Sequence, residues 1–246
     1  SKGYPAFKDA IDLIEHCHAI GAGGVQVMVR GWSTDFSKKV RERREKLGMY
    51  IEGSIALPKD AGDVARFGQE LIAAKEAGAS VVRTVCLSGR RYETFRTLEA
   101  FLDFRKQSIA SLQLAEPLVR KYNTRLAVEN HKDWRAAEMV EILSAIESEW
   151  IGVNLDFGNN VALLEDPLEV AKTLGPFLFT THVKDMGVEE YPDGFLLSEV
   201  PLGDGFLDLE EMFDLCRRHS ADIRFNLEMI TRDPLQALSA YARADR

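Results

Sequence analysis

Leu126-Ala-Val-Glu129, Ile151-Gly-Val-Asn-Leu-Asp156, Phe179-Thr-Thr-His182 and Phe225-Asn-Leu-Glu228 are four short apolar runs, each ending in a side chain that can hold a metal ion. Their length and apolar content predict buried strands, and helix-like sequence separates most of them. On neighbouring parallel strands, Glu129, Asp156, His182 and Glu228 would arrive at the same strand ends and converge. Hard oxygen donors with one imidazole suit a single divalent ion: Mn²⁺, Mg²⁺, Co²⁺ or Zn²⁺.

Outward from these runs, helix and strand alternate. Helices are expected over 7–20, 33–47, 63–77, 94–122, 133–147, 167–174, 207–219 and 234–242. Pro117 should kink or split the longest, and Asp133 should cap the one it begins. Strands are expected over 24–29, 49–57, 79–87, 124–130, 151–156, 177–184 and 223–229. Such alternation implies right-handed βαβ units and a parallel sheet. The fold class is therefore α/β, a (β/α)₈ TIM barrel with seven strands counted and the first one missing, since the chain starts on a helix. An open doubly-wound sheet would carry a glycine-rich turn after a strand, whereas Gly21-Ala-Gly-Gly24 precedes one. No linker or repeat intervenes, so residues 1–246 read as one domain.

Side-chain parity supports the barrel. One face of the strands carries Gln26, Arg30, Glu52, Ser54, Arg83, Glu129, His131, Asn154, Asp156, Thr180, His182, Lys184, Asn226 and Glu228. The other face is nearly all apolar, with Val25, Val27, Ile51, Val82, Val128, Val153, Leu155 and Val183 among its residues. The apolar face suits the helices; the polar face suits a barrel interior with its active site at the C-terminal mouth. Several carboxylates placed there would repel one another unless a cation intervened, and burying them unpaired is costly. The bland alternative pairs each with a nearby Lys132, Lys184, Arg83 or Arg30.

The 246 residues carry a net charge of −8, which argues against a general nucleic-acid binder. The basic run Lys38 to Lys46 reads as a solvated helix face. Cys17, Cys86 and Cys216 are far apart in the sequence and read as reduced thiols, which makes a cytoplasmic location the expectation. No apolar stretch is long enough to span a bilayer, and the opening Ser1-Lys-Gly-Tyr-Pro5 leaves room for a removed leader.

Ala127-Val-Glu-Asn-His131, Gly152-Val-Asn-Leu-Asp-Phe-Gly-Asn159, Thr181-His-Val-Lys-Asp185, Pro201-Leu-Gly-Asp-Gly205 and Asn226-Leu-Glu228 resemble the xylose isomerase-like TIM-barrel superfamily, in its sugar phosphate isomerase/epimerase branch. The resemblance implies Glu129, Asp156, His182 and Glu228 as ligands of one divalent metal, with Glu129 and Glu228 also the acid/base pair. It implies a small-molecule sugar as substrate and leaves a homo-oligomer open. Many epimerases of the branch have a histidine where this chain has Asn159, which can hydrogen-bond a hydroxyl but cannot carry a proton.

Further pocket residues follow from parity. His131 reads as a substrate contact or acid/base assistant. Lys184 is either a clamp on an anionic oxygen or the partner of Glu52 or Asp185. Arg30 and Arg83 either bind an anionic group or form interior salt bridges. Trp32 either stacks on a sugar ring or serves as a lid or core residue. Asp185 should cap a loop, and the Gly-, Pro- and acid-rich stretch 187–206 has the length of a lid or an interface arm. The leading expectation is a metal-dependent isomerase or epimerase on a keto-sugar, working through an enediolate. A lyase, dehydratase or decarboxylase on a keto-sugar or keto-sugar acid is the alternative. An apurinic-site endonuclease is a distant third, because its metal cluster needs more His than the five present. The fourth is a non-catalytic barrel.

Overall fold

Several helices begin where the sequence supplies an oxygen to hold the first free N–H groups. Asp9 caps α1 (Ala10–Ala19), Ser33 caps α2 (Thr34–Lys46) and Asp166 caps α7 (Pro167–Leu174), in each case through its side chain. Gly48 and Gly78 take positive φ just past α2 and α3 (Val64–Glu76), where a Cβ would strain the reversal into the next strand. The computed structural model describes residues 6–192, 194–230 and 235–236.

Strands follow the expected places: β1 (Gly24–Met28), β2 (Tyr50–Ser54), β3 (Val81–Thr84), β4 (Arg125–Glu129), β5 (Ile151–Asp156), β6 (Leu178–Val183) and β9 (Phe225–Leu227). These seven form one sheet, ordered β1-β2-β3-β4-β5-β6-β9. The pairs β1/β2, β2/β3, β5/β6 and β6/β9 are parallel, as helical crossovers between them require. Most of the expected apolar parity is buried, with Val25, Val27, Ile51, Val82, Val128, Val153, Leu155 and Val183 all in the core, but on the last strands Phe179 and Phe225 are only partly buried and Leu227 is exposed.

Two compact units can be distinguished. One comprises Ser1–Thr84, Ile109–Ala127 and Ser148–Ile151; the other comprises Val85–Ser108, Val128–Glu147 and Gly152–Arg246. In the first, Phe67, Leu71 and Ala74 of α3 pack with no exposed surface. In the second, Gly152 to Asp156 of β5 are all buried, as expected for a strand covered on both faces.

Four expectations need correction. Pro117 does not split its helix: α5 runs unbroken over Leu98–Lys121, after the short α4 (Arg91–Thr94). Its neighbours Leu112 and Val119 are fully buried. Burial of two such side chains contributes about 1.5–3 kcal/mol each, enough to offset the roughly 3 kcal/mol cost of an interior proline. Asp133 does not cap a helix, since α6 begins later (Ala136–Ile146). The Asp133 carboxylate instead accepts N–H groups from Leu87, His131 and Trp134. The stretch 187–206 is largely a hairpin, β7 (Asp185–Tyr191) against β8 (Gly194–Val200), and Gly203 and Gly205 donate their N–H groups to Asp185. Asp185 therefore caps the following turn as expected. Of the helix expected over 234–242, Leu235–Gln236 is a short strand (β10) against β8, and the rest lies outside the described residues.

Cys17, Cys86 and Cys216 are unpaired thiols. Among the described residues no helix is long and apolar enough to cross a membrane.

Candidate metal centre

Strand register brings the site together. Pairing of β5 with β6 runs Val153 to Leu178 and then Asn154 to Thr180, skipping Phe179. The skipped residue sets Asp156 directly opposite His182; an unshifted ladder would set it opposite Thr181 and turn one side chain away. The shift sits beside Gly152, where a Cβ would meet the Phe177 carbonyl oxygen at 2.4 Å. On the other side of β6, His182 pairs with Asn226, and the Glu228 N–H donates to the Val183 carbonyl at 3.0 Å. Glu228 thus enters the same row two residues on.

The outcome is a tight cluster within the second unit. Ligand atoms of Glu129, Asp156, His182 and Glu228 all lie within 4.8 Å of one another. His182 Nδ1 is 3.3 Å from Glu129 Oε2, 3.2 Å from Glu228 Oε2 and 4.0 Å from Asp156 Oδ2. Glu129 and Asp156 are fully sequestered, whereas the Glu228 side chain is 35% exposed. Oxygen-rich donors with one imidazole, converging within a few ångströms, fit a hard divalent ion.

Charge shapes each group. Burial alone would lower the His182 pKa, but hydrogen bonds to Glu129 and Glu228 overcome it and push it up to about 9. Burial pushes Asp156 up to about 6 despite the Lys184 ammonium. For Glu228 burial loses to His182 and Lys184, which hold its carboxyl well below the usual range. Lys184 is 2.8 Å from Asp156 Oδ2, 3.1 Å from Glu228 Oε2 and 3.5 Å from Glu199 Oε1. The expected partners of Lys184, Glu52 and Asp185, are thus replaced by two of the metal candidates and by Glu199. The bland pairing alternative holds in part, since Lys184 does neutralise Asp156 and Glu228. Three carboxylates, of Asp156, Glu228 and Glu199, still face that one ammonium while Glu129 lies against His182, and a divalent ion would relieve the excess.

Supports lie behind the donors. Asn159 donates from Nδ2 to Glu129 Oε1 at 3.0 Å, and its own N–H donates to Asp156 Oδ1 at 2.8 Å. His131 places Nδ1 3.0 Å from the Leu87 carbonyl, leaving Nε2 3.9 Å from Glu129 Oε1. Asn130, which sequence reading missed, clamps β5: its Nδ2 donates to the Asp156 carbonyl at 2.9 Å and its Oδ1 accepts the Asp156 N–H at 2.7 Å. An amide side chain on the otherwise apolar parity of β4 was the signal available for it. Glu199 was missed because its hairpin read as a loop; its carboxylate accepts the Ile230 N–H, two residues past Glu228, as well as facing Lys184.

Arg30, Trp32, Glu52 and Arg83 belong to the first unit. There Gln26 Nε2 donates to Glu52 Oε2 at 3.1 Å, and Arg83 Nη1 donates to Ser54 Oγ at 3.3 Å. Trp32 meets the Phe36 ring edge-on, and Arg30 is exposed.

A family model described as xylose isomerase-like TIM barrel matches residues 14–244. The chain belongs to that family. Its α/β alternation is therefore that of a TIM barrel. A 3-oxo-isoapionate decarboxylase from Pectobacterium atrosepticum is 27% identical over 218 residues, spanning 86% of this chain and 74% of that protein. Among solved structures, a xylose isomerase-like TIM-barrel protein from Mycobacterium smegmatis in complex with magnesium superposes with a TM-score of 0.71 at 18% identity, over 96% of this chain and 88% of that one. D-psicose 3-epimerase in the presence of D-fructose superposes at 0.72 and 16% identity, over 91% and 80%. At these identities the structural likeness establishes the fold alone.

Proposed function

We propose that this protein is a divalent-metal-dependent isomerase or epimerase that acts on a keto-sugar through an enediolate. The observation that carries this reading is the convergence of Glu129, Asp156, His182 and Glu228 within 4.8 Å. These four would hold the ion, whose charge would acidify a C–H beside a substrate carbonyl. Asp156 and His182 serve as ligands only. Glu129 and Glu228 are ligands and also the proton carriers: one removes the carbon-bound proton and the other returns one. Their settings differ as such a pair requires. Glu129 is dry and fixed by Asn159, while Glu228 is half open to solvent and held as a carboxylate beside Lys184.

A second reading keeps the metal and the enediolate but ends in loss of CO₂. Two observations favour it: Lys184 stands inside the donor cluster, where an ammonium suits an anionic oxygen, and the Pectobacterium relative is a decarboxylase. Proton NMR of ketoses and keto-sugar acids in D₂O with Mg²⁺ or Mn²⁺ separates the two. Deuterium entering at carbon without carbon loss is expected for isomerisation; released CO₂ selects the second reading. Absence of stoichiometric divalent metal from protein loaded with Mg²⁺ or Mn²⁺ would defeat both.

A further inference from the structure

Asp133 is fully buried, no Lys or Arg pairs with it among the described residues, and the proposed chemistry gives it no task. A buried carboxylate without a cation is costly unless N–H groups satisfy it. Three do so here. Oδ1 accepts the His131 N–H at 3.1 Å and the Trp134 N–H at 2.9 Å, and Oδ2 accepts the Leu87 N–H at 3.2 Å. Burial still pushes the carboxyl up to about 7, with those hydrogen bonds pulling the other way. The donors come from two segments: the turn after β3 supplies Leu87, and the link from β4 to α6 supplies the other two. The same segments meet again through a side chain. His131 Nδ1 lies 3.0 Å from the Leu87 carbonyl, so both partners in that contact also have their backbone N–H on the Asp133 carboxylate. A carbonyl oxygen can only accept, so Nδ1 carries the hydrogen of the neutral ring. Nε2 then keeps its lone pair and lies 3.9 Å from Glu129 Oε1. A hydroxyl of a bound sugar is a donor suited to such an acceptor.

We propose that Asp133 is a positioning residue: it locks His131 as the Nδ1–H tautomer, so that Nε2 faces Glu129 and accepts a hydroxyl of the bound keto-sugar. The sugar contact rests on the keto-sugar reading of that site; the lock does not. Asp133→Asn is the decisive variant, because an amide keeps only one acceptor oxygen. That oxygen can hold the His131 and Trp134 N–H groups, but the amide nitrogen then faces the Leu87 N–H, donor against donor. Ring ¹⁵N NMR of histidine-labelled, Mg²⁺-loaded protein at about pH 8.5, where Asp133 is ionised, reads the tautomer; His131→Phe identifies the signal. Wild-type His131 is expected in the Nδ1–H form alone, with the Nε2–H form appearing in Asp133→Asn. Deuterium entry from D₂O into D-fructose or D-psicose, whichever the wild type exchanges faster, should fall about tenfold or more in Asp133→Asn at unchanged magnesium content. An Nε2–H ring in the wild type overturns the lock whatever the stability of Asp133→Asn, and so does a variant that keeps the wild-type pattern. A changed tautomer with exchange within about twofold of wild type overturns the role toward the sugar. A wild type with an Nδ1–H ring that holds Mg²⁺ but exchanges neither ketose takes down the enediolate reading and the sugar contact that rests on it, and leaves the lock standing.

Discussion

The polar faces of β1–β3 and of β4–β6 with β9 follow the same alternation, yet they carry different chemistry. In the first unit polar groups meet polar groups nearby: Gln26 reaches Glu52, and Arg83 reaches Ser54. In the second, three strand ends and the residue just past a fourth deliver three like-charged carboxylates and one imidazole to one point, with Lys184 the only ammonium in contact among the described residues. Alternation alone therefore says which side chains share a face. Charge that exceeds its local partners says where a ligand is needed.

The largest effect expected from breaking this contrast is on activity. Glu129→Gln should lower deuterium exchange into substrate by about 10³-fold or more, as removal of an acid/base group that is also a ligand does. Glu52→Gln, equally buried but in the first unit, should leave metal content unchanged; equal metal loss in both variants would erase the distinction. Next comes Lys184→Met. Without metal it strands Asp156 and Glu228, so a loss of about 3 kcal/mol in urea unfolding is expected, recovered largely when Mg²⁺ is added. No recovery would mean that Lys184 acts by packing and not by charge.

Asn130→Ala should cost about 1–3 kcal/mol, since it leaves the buried Asp156 N–H and carbonyl without their side-chain partner; thermal unfolding reads this directly. The smallest effect is on pH dependence. The folded His182 pKa, about 9, lies above the ordinary imidazole value. Its contribution to the stability of metal-free protein is then fully present below about pH 6.5 and is lost as pH rises through about 9. Metal uptake must displace that proton, so affinity for Mg²⁺ should strengthen over the same interval. A flat urea midpoint from pH 6.5 to 9 in metal-free protein, or metal affinity that weakens with pH, contradicts the placement of His182 among the ligands.

All seven parallel strands and the identity of the four clustered residues were legible in the sequence, because burial and side-chain alternation are local, periodic properties. The hairpin β7/β8 was not, since Gly, Pro and acidic residues imitate a loop when strand partners are unknown. Glu199 was lost with it. Asp133 read as a cap because its spacing to the helix was plausible; three backbone N–H groups, one of them from Leu87, claimed it instead.

By itself, the sequence determined which residues occupy strand ends, which face each side chain shares and that hard metal donors gather there, because an extended backbone alternates its side chains wherever it folds. Tertiary structure alone decided the one-residue shift that sets Asp156 opposite His182, the Asn130 clamp and the partners of Lys184. Register and ion pairing depend on what the neighbouring chain segment supplies, and that lies up to 44 residues away in the Lys184–Glu228 contact.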